Sequence, residues 1–257
     1  MNTHEKKIAL ITGGSRGLGR EMAINLAKKG IHVVLTYKSN AQAANAVVAE
    51  IENSGQSSAL ALQLDVSDHS KYADFFSNEL SPRLKDKFHT STFDFLINNA
   101  GTGLSTPFKE TTISQFDDLY NIHLKAGYFF SQQALNYLND GGGIVNISSG
   151  LTRIIGPGSS AYAVMKGALE TLTKYQAKEL GERKIRVNIV APGAIETDFN
   201  GGFVRENKQV NEHIASITAL GRVGLPTDIG PVVAFLCTEE AYWINAQRIE
   251  VSGGQAI

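Results

Sequence analysis

Two neighbouring segments of the chain carry side chains that could move a proton to or from a carbonyl oxygen. Tyr162 and Lys166 are four residues apart, a spacing that places both on one face of a helix. A free phenol titrates at about 10 and a nearby ammonium favours the phenolate, so we expect Lys166 to lower the pKa of Tyr162. Ser149 adds a hydroxyl that can hydrogen-bond a carbonyl oxygen. Together the three groups favour proton transfer within a ketone/alcohol pair.

These side chains need a strand and a helix to bring them together. The β-branched run 144–147 predicts a buried strand that delivers Ser149 to the edge where open parallel α/β sheets bind ligands. From Ser160 onward, small and apolar residues recur at helical spacing, with Ser159 or Ser160 as the cap. Because a Tyr-x-x-x-Lys pair also occurs by chance in many helices, the assignment needs support from the rest of the chain.

The composition favours a single α/β domain over residues 1–257. The chain is long enough for a full core, and no linker divides it. A net charge of −1, with both signs interspersed, argues against nucleic-acid or anionic-membrane partners. Cys237 is the only cysteine and the six histidines are not clustered, so we expect neither a disulfide nor a metal. A polar segment 1–7 and the lack of a run of ~20 apolar residues predict a cytoplasmic protein.

A glycine-rich turn, 13–19, follows the first predicted strand, 7–12, and opens a helix. Glycines at such a turn let backbone N–H groups approach a phosphate, which the helix N-terminus also attracts. The spacing is Thr-Gly-x-x-x-Gly-x-Gly instead of the common Gly-x-Gly-x-x-Gly, because Met22 stands where the last glycine would be. The turn therefore predicts a nucleotide site.

The end of the second predicted strand, 31–36, indicates which dinucleotide is preferred. An acidic residue there would bind the ribose hydroxyls of NAD, but the chain has Lys38 instead. Lys38 and Arg16 could offer two cations to a 2′-phosphate, so we expect NADP(H) before NAD(H). Both residues would otherwise be ordinary surface cations.

Two further turns follow predicted strands, 59–64 and 93–97. Asp65 could accept from the adenine amino group or cap the next helix, and Asp68 competes for that cap. The run 98–101, Asn-Asn-Ala-Gly, allows backbone contact with a ribose or stabilises its own turn. The polar segment 81–92, which contains Pro82, predicts a surface connection between the two strands.

In order and spacing these motifs resemble the short-chain dehydrogenase/reductase (SDR) family, over nearly the whole chain. The resemblance implies an α/β, Rossmann-type, doubly wound fold with a seven-stranded parallel sheet and helices on both faces. It also implies transfer of a hydride between nicotinamide and a ketone or secondary alcohol. The matching motifs are Thr12-Gly13-x-x-x-Gly17-x-Gly19, Asn98-Asn99-Ala100-Gly101, Ser149, Tyr162-x-x-x-Lys166, Pro192-Gly193 and Val251-Ser252-Gly253-Gly254.

The resemblance implies a role for each catalytic residue. Tyr162 would be the general acid in ketone reduction and the base in alcohol oxidation. Lys166 would lower the pKa of Tyr162 and hydrogen-bond the nicotinamide ribose. Ser149, thirteen residues before Tyr162, would orient the carbonyl, with Ser148 as the fallback.

The fourth catalytic member of the family is an asparagine in a long central helix, and Asn121 is the one that fits. Its carbonyl could hold a water that joins Lys166 to solvent, although a buried asparagine could also simply tie backbone together. We expect His123, two residues later, to have a structural role, because Tyr162 already serves as the acid and base of the implied reaction.

The resemblance also implies how the cofactor and substrate are enclosed. The backbone of Ile195 and the hydroxyl of Thr197 would position the nicotinamide carboxamide. Segment 198–220 would form a mobile lid with helical pieces, in which Phe199, Phe203 and Val204 line an apolar wall or only pack the lid. The implied cofactor contacts are Gly13, Ser15, Arg16, Gly17, Leu18, Gly19, Tyr37, Lys38, Asp65, Val66, Asn99, Ala100, Gly101, Tyr162, Lys166, Pro192, Gly193, Ile195 and Thr197.

Several alternatives stay open at this point. A 3-oxoacyl-acyl-carrier-protein reductase would need basic residues near the site to dock its acidic partner. Segment 136–140 contains none, whereas Arg183 is present, so this alternative is weakened and stays open. An NAD-dependent alcohol or sugar dehydrogenase would act on a free small molecule. A non-catalytic nucleotide-binding protein is disfavoured because all three catalytic side chains are retained. The family pairs the helices around 114–138 and 160–181 into homodimers or homotetramers, although these helices could instead face their own sheet.

Overall fold

A computed structural model describes residues 6–257, which form one seven-stranded sheet with every pairing parallel. The strand order is β3-β2-β1-β4-β5-β6-β7. The strands are β1 (Ile8–Ile11), β2 (His32–Tyr37), β3 (Ala59–Gln63), β4 (Phe93–Asn98), β5 (Leu138–Ile147), β6 (Arg186–Pro192) and β7 (Arg248–Val251).

Helices connect the strands, and two of the helical connections contain a wide, π-type turn. One such turn, Phe75–Leu80, joins α3 to α4, and the other, Tyr120–Lys125, joins α5 to α6. In the described part of the chain, no helix is both long and apolar enough to cross a membrane. The helices are α1 (Gly17–Lys28), α2 (Ala41–Asn53), α3 (Tyr72–Asp74), α4 (Ser81–Phe88), α5 (Ile113–Leu119), α6 (Ala126–Ala134), α7 (Ser160–Glu179), α8 (Phe203–Glu206), α9 (Lys208–Ser216) and α10 (Pro226–Leu236).

The strands are apolar on both faces because helices cover both sides of the sheet. Successive side chains of a strand point to opposite faces, so a strand covered on both sides reads as a continuous apolar run. Residues 8–11 of β1 illustrate this, since all four are buried. Ala9 and Ile11 belong to the core with α1, α2 and α10, whereas Ile8 and Leu10 belong to the core with α6 and α7. The predicted doubly wound α/β fold is therefore confirmed.

The strand order places a binding crevice at the carboxyl edge of the sheet. The chain moves outward from β1 through β2 to β3, and then crosses back to add β4 on the other side of β1. Ligands of open α/β sheets bind where the order reverses, outside the carboxyl ends of the strands. The glycine turn after β1 and the segment 98–101 at the end of β4 meet at this point.

Two local features differ from expectation. The segment 81–92 lies mostly at the surface, as expected, but it begins with α4, because Pro82 lies in the first helical turn, where a missing N–H costs little, and Leu84 is buried. β5 begins at Leu138, which pairs with Phe93 before a register shift, so the preceding helix ends at Ala134 and not near 138.

Candidate active site

A cavity of about 850 Å³ opens at the carboxyl edge of the sheet. Every residue of the expected cofactor set lines this cavity, and so do Ser149, Thr102 and Phe199. Ligand sites in proteins typically measure about 300–1,000 Å³, so the cavity has the size of a site for a large ligand. The expected residues, which are scattered from 13 to 197 in the chain, therefore surround one space.

The glycine turn after β1 is shaped so that backbone can approach a ligand closely. Gly13 and Gly17 have φ of 68° and 54°, in the left-handed region that favours glycine. A Cβ at Gly19 would lie 2.2 Å from the Gly13 carbonyl oxygen, so no larger residue fits there. The N-terminus of α1 therefore stands open to the cavity, which suits the phosphates of a dinucleotide.

Hydrogen bonds between Thr12 and Asn99 hold the turn after β1 against the end of β4. The Thr12 hydroxyl accepts from the backbone N–H groups of Asn99 and Ala100, each at 3.0 Å. The Asn99 amide donates to the carbonyls of Thr12 and Gly13, at 2.9 and 3.1 Å. Asn99 therefore fixes the cradle with its side chain, in addition to lining the cavity with its backbone.

The hydroxyls of Tyr162 and Ser149 lie beside each other in the cavity. Tyr162 lies in the first turns of α7, and Ser149 follows the carboxyl end of β5. Burial raises the pKa of Tyr162 to about 12, and the neighbouring Ser149 hydroxyl offsets only part of that effect. The phenol is therefore protonated at neutral pH, which differs from our expectation that Lys166 lowers its pKa.

Lys166 lies one helical turn after Tyr162 and is 4% exposed. Its ammonium donates to the carbonyl oxygen of Ile147 at 2.8 Å and stands 5.6 Å from the centroid of the Tyr162 ring. Burial lowers the pKa of Lys166 to about 7. The charged ammonium therefore destabilises the folded protein, and the group titrates near neutral pH.

The two neighbouring serines after β5 have separate partners. The Ser148 hydroxyl donates to Glu170 Oε1 of α7 at 2.6 Å, whereas the Ser149 hydroxyl is the one beside Tyr162. Glu170 also accepts from Thr152 at 2.8 Å and from Arg248 Nε at 2.8 Å. This network fixes the loop that follows Ser149 to α7 and β7, and leaves Ser149 as the hydroxyl available to a substrate.

The structure does not bring Asn121 into this group. Asn121 lines no part of the cavity, and its carbonyl accepts from the N–H of Ala126 and from His69 Nε2, the latter at 3.1 Å. His123, for which we expected a structural role, lines the cavity instead and packs edge-on against the Tyr162 ring, with centroids 5.1 Å apart. No local pattern in the sequence indicates that His123 and not Asn121 lines the cavity, because this depends on the π-type turn that contains both residues.

The two expected phosphate-binding cations differ in their surroundings. Lys38 forms an ion pair with Asp65, with Nζ and Oδ2 2.8 Å apart. Partial burial would raise the pKa of Asp65, but hydrogen bonds from Lys38 and Ser67 outweigh it and lower the pKa to about 2. Arg16 is exposed at the mouth of the cavity and forms no ion pair within residues 6–257. Arg16 is thus free to bind a 2′-phosphate, whereas the charge of Lys38 would be shared between that phosphate and Asp65.

One wall of the cavity is formed by segments of which only the lid was expected from the sequence. Phe199, Phe203 and Val204 of the expected lid line it, as do Leu151 and Ile154 of the loop after β5. Gln255, near the end of the chain, accepts from the Ala194 N–H at 3.0 Å and also reaches the cavity, which nothing in the sequence indicated.

Comparisons with known proteins agree on the class of protein. A family model described as enoyl-(acyl carrier protein) reductase matches residues 13–256. The chain is similar to the hydroxynaphthalene reductase-like protein Arp2 of Metarhizium brunneum, with 36% identity over 259 residues that cover 96% of this chain and 94% of that protein.

Two solved structures are similar over almost their whole length. The angucycline C-6 ketoreductase LanV with bound NADP superposes with a TM-score of 0.91 and 36% identity, over 97% of this chain and 95% of that one. The short-chain dehydrogenase/reductase of Serratia marcescens superposes with a TM-score of 0.88 and 30% identity, over 98% of both chains.

Proposed function

Because the chain belongs to the short-chain dehydrogenase/reductase family, we propose that it is an NADPH-dependent reductase that converts a ketone into a secondary alcohol. The observation that carries this proposal is the placement of the Tyr162 and Ser149 hydroxyls side by side in the cavity, with Lys166 buried beside them. A carbonyl oxygen placed between these two side chains would meet one hydroxyl that orients it and another that can protonate it.

The three side chains divide the work on the substrate. NADPH, when bound, supplies the hydride. Ser149 donates a hydrogen bond to the ketone oxygen and so fixes the orientation of the carbonyl. Tyr162 gives its phenolic proton to the same oxygen as negative charge develops there. The ammonium of Lys166 stabilises the phenolate that remains, in a buried site where such a charge interaction is strong.

The protonation state of Tyr162 favours reduction over oxidation. With a pKa of about 12, the phenol carries its proton at neutral pH and is ready to act as an acid. Alcohol oxidation would need the phenolate, which is a minor species under the same conditions. The preference for NADPH, the usual reductive cofactor, agrees with this direction.

Substitution of Arg16 or Lys38 by alanine should weaken NADPH binding roughly ten- to a hundredfold. A hydrogen bond to a charged group contributes about 1.5–3 kcal/mol to binding. NADH has no 2′-phosphate, so its affinity should not change. The loss should be larger for Arg16→Ala, because Lys38 already shares its charge with Asp65. Fluorescence titration with NADPH and NADH measures both affinities.

Arg20→Ala is the matched control for these two variants. Arg20 is a cation of α1, one turn after Arg16, but it pairs with Glu21 and Glu50 and does not line the cavity. Its substitution should leave the ratio of the two affinities unchanged. Equal losses for NADPH and NADH in the Arg16 and Lys38 variants would show that these residues do not read the 2′-phosphate.

We propose further that the substrate is a fused-ring ketone. The names of two relatives refer to a hydroxynaphthalene and an angucycline, which are fused-ring compounds. In this chain the phenol of Tyr162 faces Phe199, with ring centroids 6.0 Å apart, and the wall beyond it is apolar. A flat ring system would bury its faces there while its carbonyl reaches Ser149 and Tyr162.

Phe199→Ala should lower kcat/KM for a bicyclic ketone such as 2-tetralone about three- to thirtyfold. Loss of an aromatic contact removes about 0.5–1.5 kcal/mol beyond the buried area itself. An open-chain ketone of similar polarity should be affected much less. Phe235→Ala, which changes an exposed phenylalanine of α10 outside the cavity, serves as the control. Equal effects of Phe199→Ala on both ketones would argue against a fused-ring substrate.

The acyl-carrier-protein alternative receives less support. Arg183, the cation considered for docking that partner, donates to Asp140 at 2.7 Å and to the carbonyls of Leu135 and Leu138. A guanidinium engaged in this way holds the end of α6 to β5 and has few donors left for an acidic protein. A free small molecule therefore fits the site better than a carrier-bound chain.

We infer a homodimer or homotetramer from the outer faces of α5, α6 and α7. Large apolar side chains are exposed on these helices, as expected of a surface that packs against a second copy. The cytoplasmic location and the lid 198–220 remain predictions from the sequence. The exposed side chains are Phe116, Tyr128, Phe129, Val164 and Tyr175 of these helices and Tyr120 of the π-type turn between α5 and α6.

A further inference from the structure

His123 lies in the active site, but no step of the proposed reaction uses it. Its side chain is 3% exposed and lies in the π-type turn Tyr120–Lys125. The imidazole meets the Tyr162 ring edge-on, with centroids 5.1 Å apart and an interplanar angle of 89°. It is therefore a direct neighbour of the side chain proposed to protonate the ketone.

The imidazole is also bonded to the wall of the cavity. His123 Nε2 lies 2.7 Å from the Thr102 carbonyl oxygen and 3.4 Å from the Thr102 backbone nitrogen. A single ring nitrogen cannot donate and accept at once, so we assign the short contact to an Nε2–H that donates to the carbonyl. The imidazole thereby ties the π-type turn to the segment that begins at Thr102.

That segment in turn contacts the residues that follow Thr197. A Cβ at Gly103 would lie 2.8 Å from Phe199 Cε1 and 2.6 Å from Asn200 Oδ1, so the backbone at Gly103 packs directly against both. Phe199 closes the circuit, since its ring lies 6.0 Å from that of Tyr162. The contacts thus run in a closed ring from His123 through Thr102, Gly103 and Phe199 to Tyr162, and back to His123.

The imidazole adds no charge to this ring at neutral pH. Burial, and then the positive charge of Lys166, hold the pKa of His123 well below its ordinary value of 6.5. Tyr162 and Lys166 are the titratable groups of α7 that face it, and segment 99–103 contributes none. A neutral donor can hold the Thr102 carbonyl without placing a second cation next to Lys166.

We propose that His123 is a positioning residue of the reductase, which holds the Tyr162 phenol and the wall at Thr102 and Gly103 in the arrangement that receives the ketone. This inference rests on the proposed function. This role differs from the water relay that we expected at Asn121, whose carbonyl is occupied by Ala126 and His69. The side chain acts through Tyr162 and touches neither reacting atom.

Three variants test the proposal by steady-state kinetics and NADPH titration. His123→Leu keeps an apolar side chain of similar bulk but loses the bond to Thr102, and it should lower kcat about ten- to a hundredfold, since small misplacements of a catalytic group can cost that much. His123→Gln carries an amide donor at nearly the same distance from the backbone as Nε2. It should recover kcat to within about fivefold of the unsubstituted enzyme. NADPH affinity should stay within about threefold in both variants.

His69→Leu is the matched control, because His69 also bonds to the π-type turn but contacts the Asn121 carbonyl and not Tyr162. It should leave kcat unchanged. Unaltered kcat in His123→Leu, or equal impairment of the Gln and Leu variants, would overturn the proposal. A lower kcat in His69→Leu together with an unchanged kcat in His123→Leu would also overturn it, because the effect would then come from the contact at the Asn121 carbonyl. If the unsubstituted protein reduces no ketone, the proposed function fails and this inference fails with it.

Discussion

Tyr162→Phe should lower kcat for ketone reduction by about 10²- to 10⁴-fold, the usual contribution of a general acid. The substitution removes only the phenolic oxygen, so the ring contacts with His123 and Phe199 remain. Ser149 would keep its hydroxyl but lose the partner that protonates the substrate. NADPH consumption in the presence of a bicyclic ketone measures the rate.

Two controls make the Tyr162 result interpretable. Tyr175→Phe changes an exposed tyrosine of the same helix and should have no effect on kcat. NADPH affinity of Tyr162→Phe should stay within a few fold, because the cradle after β1 is untouched. A Tyr162→Phe enzyme with more than about a tenth of the normal kcat would mean that another group, or water, protonates the ketone.

Lys166→Met should have opposite effects on activity and on stability. We expect kcat to fall by about 10²-fold or more, because the phenolate left on Tyr162 loses its neighbouring charge. We also expect the cofactor-free protein to become more stable by about 1–3 kcal/mol at pH 7. Holding a charged lysine with a pKa of about 7 costs several kcal/mol, and loss of the bond to the Ile147 carbonyl returns only part of this.

The pH dependence of this stability gain follows from linkage. The pKa of Lys166 is about 7 in the folded protein and 10.5 in the unfolded chain. Between these values the unfolded chain binds more protons, so the stability of the unsubstituted protein rises with pH in that window. The gain from Lys166→Met should therefore be largest at pH 7 and below, smaller at pH 9, and lost at pH 10.5.

Chemical denaturation of the cofactor-free proteins at pH 6 and pH 9 measures this difference. Lys174→Met, which replaces an exposed lysine of α7, is the control and should show little gain at either pH. A Lys166→Met protein that is less stable than the unsubstituted one at both pH values would contradict this prediction. It would show that favourable contacts of Lys166 outweigh the free-energy cost of burying its charge.

The sequence predicts the parts of the site that lie within a short local pattern. The four-residue spacing of Tyr162 and Lys166 needs only a regular helix, and α7 provides it. Ser149 needs only a strand that ends at the right edge of the sheet. The glycine turn needs only close backbone approach, which its own spacing reveals. Fold and cofactor class follow from the same patterns.

The rest of the site depends on contacts between distant segments. Choosing between Asn121 and His123 requires the π-type turn, because one extra residue in a turn rotates everything after it by about 100°. The pairing of Lys38 with Asp65 joins the ends of β2 and β3 and is invisible to either strand alone. The pKa values of Tyr162 and Lys166 depend chiefly on burial, which sequence spacing does not report.

The most direct test of the proposed reaction is transfer of deuterium to a bicyclic ketone from NADPH that carries deuterium at both C4 positions of the nicotinamide. We predict that the unsubstituted protein forms the secondary alcohol with one deuterium on the carbinol carbon, and that one NADPH is oxidised to NADP⁺ for each alcohol formed. Tyr162→Phe should form the same labelled alcohol at a rate at least a hundredfold lower. Oxidation of NADPH without labelled alcohol, or labelled alcohol at equal rates from both proteins, would contradict the account.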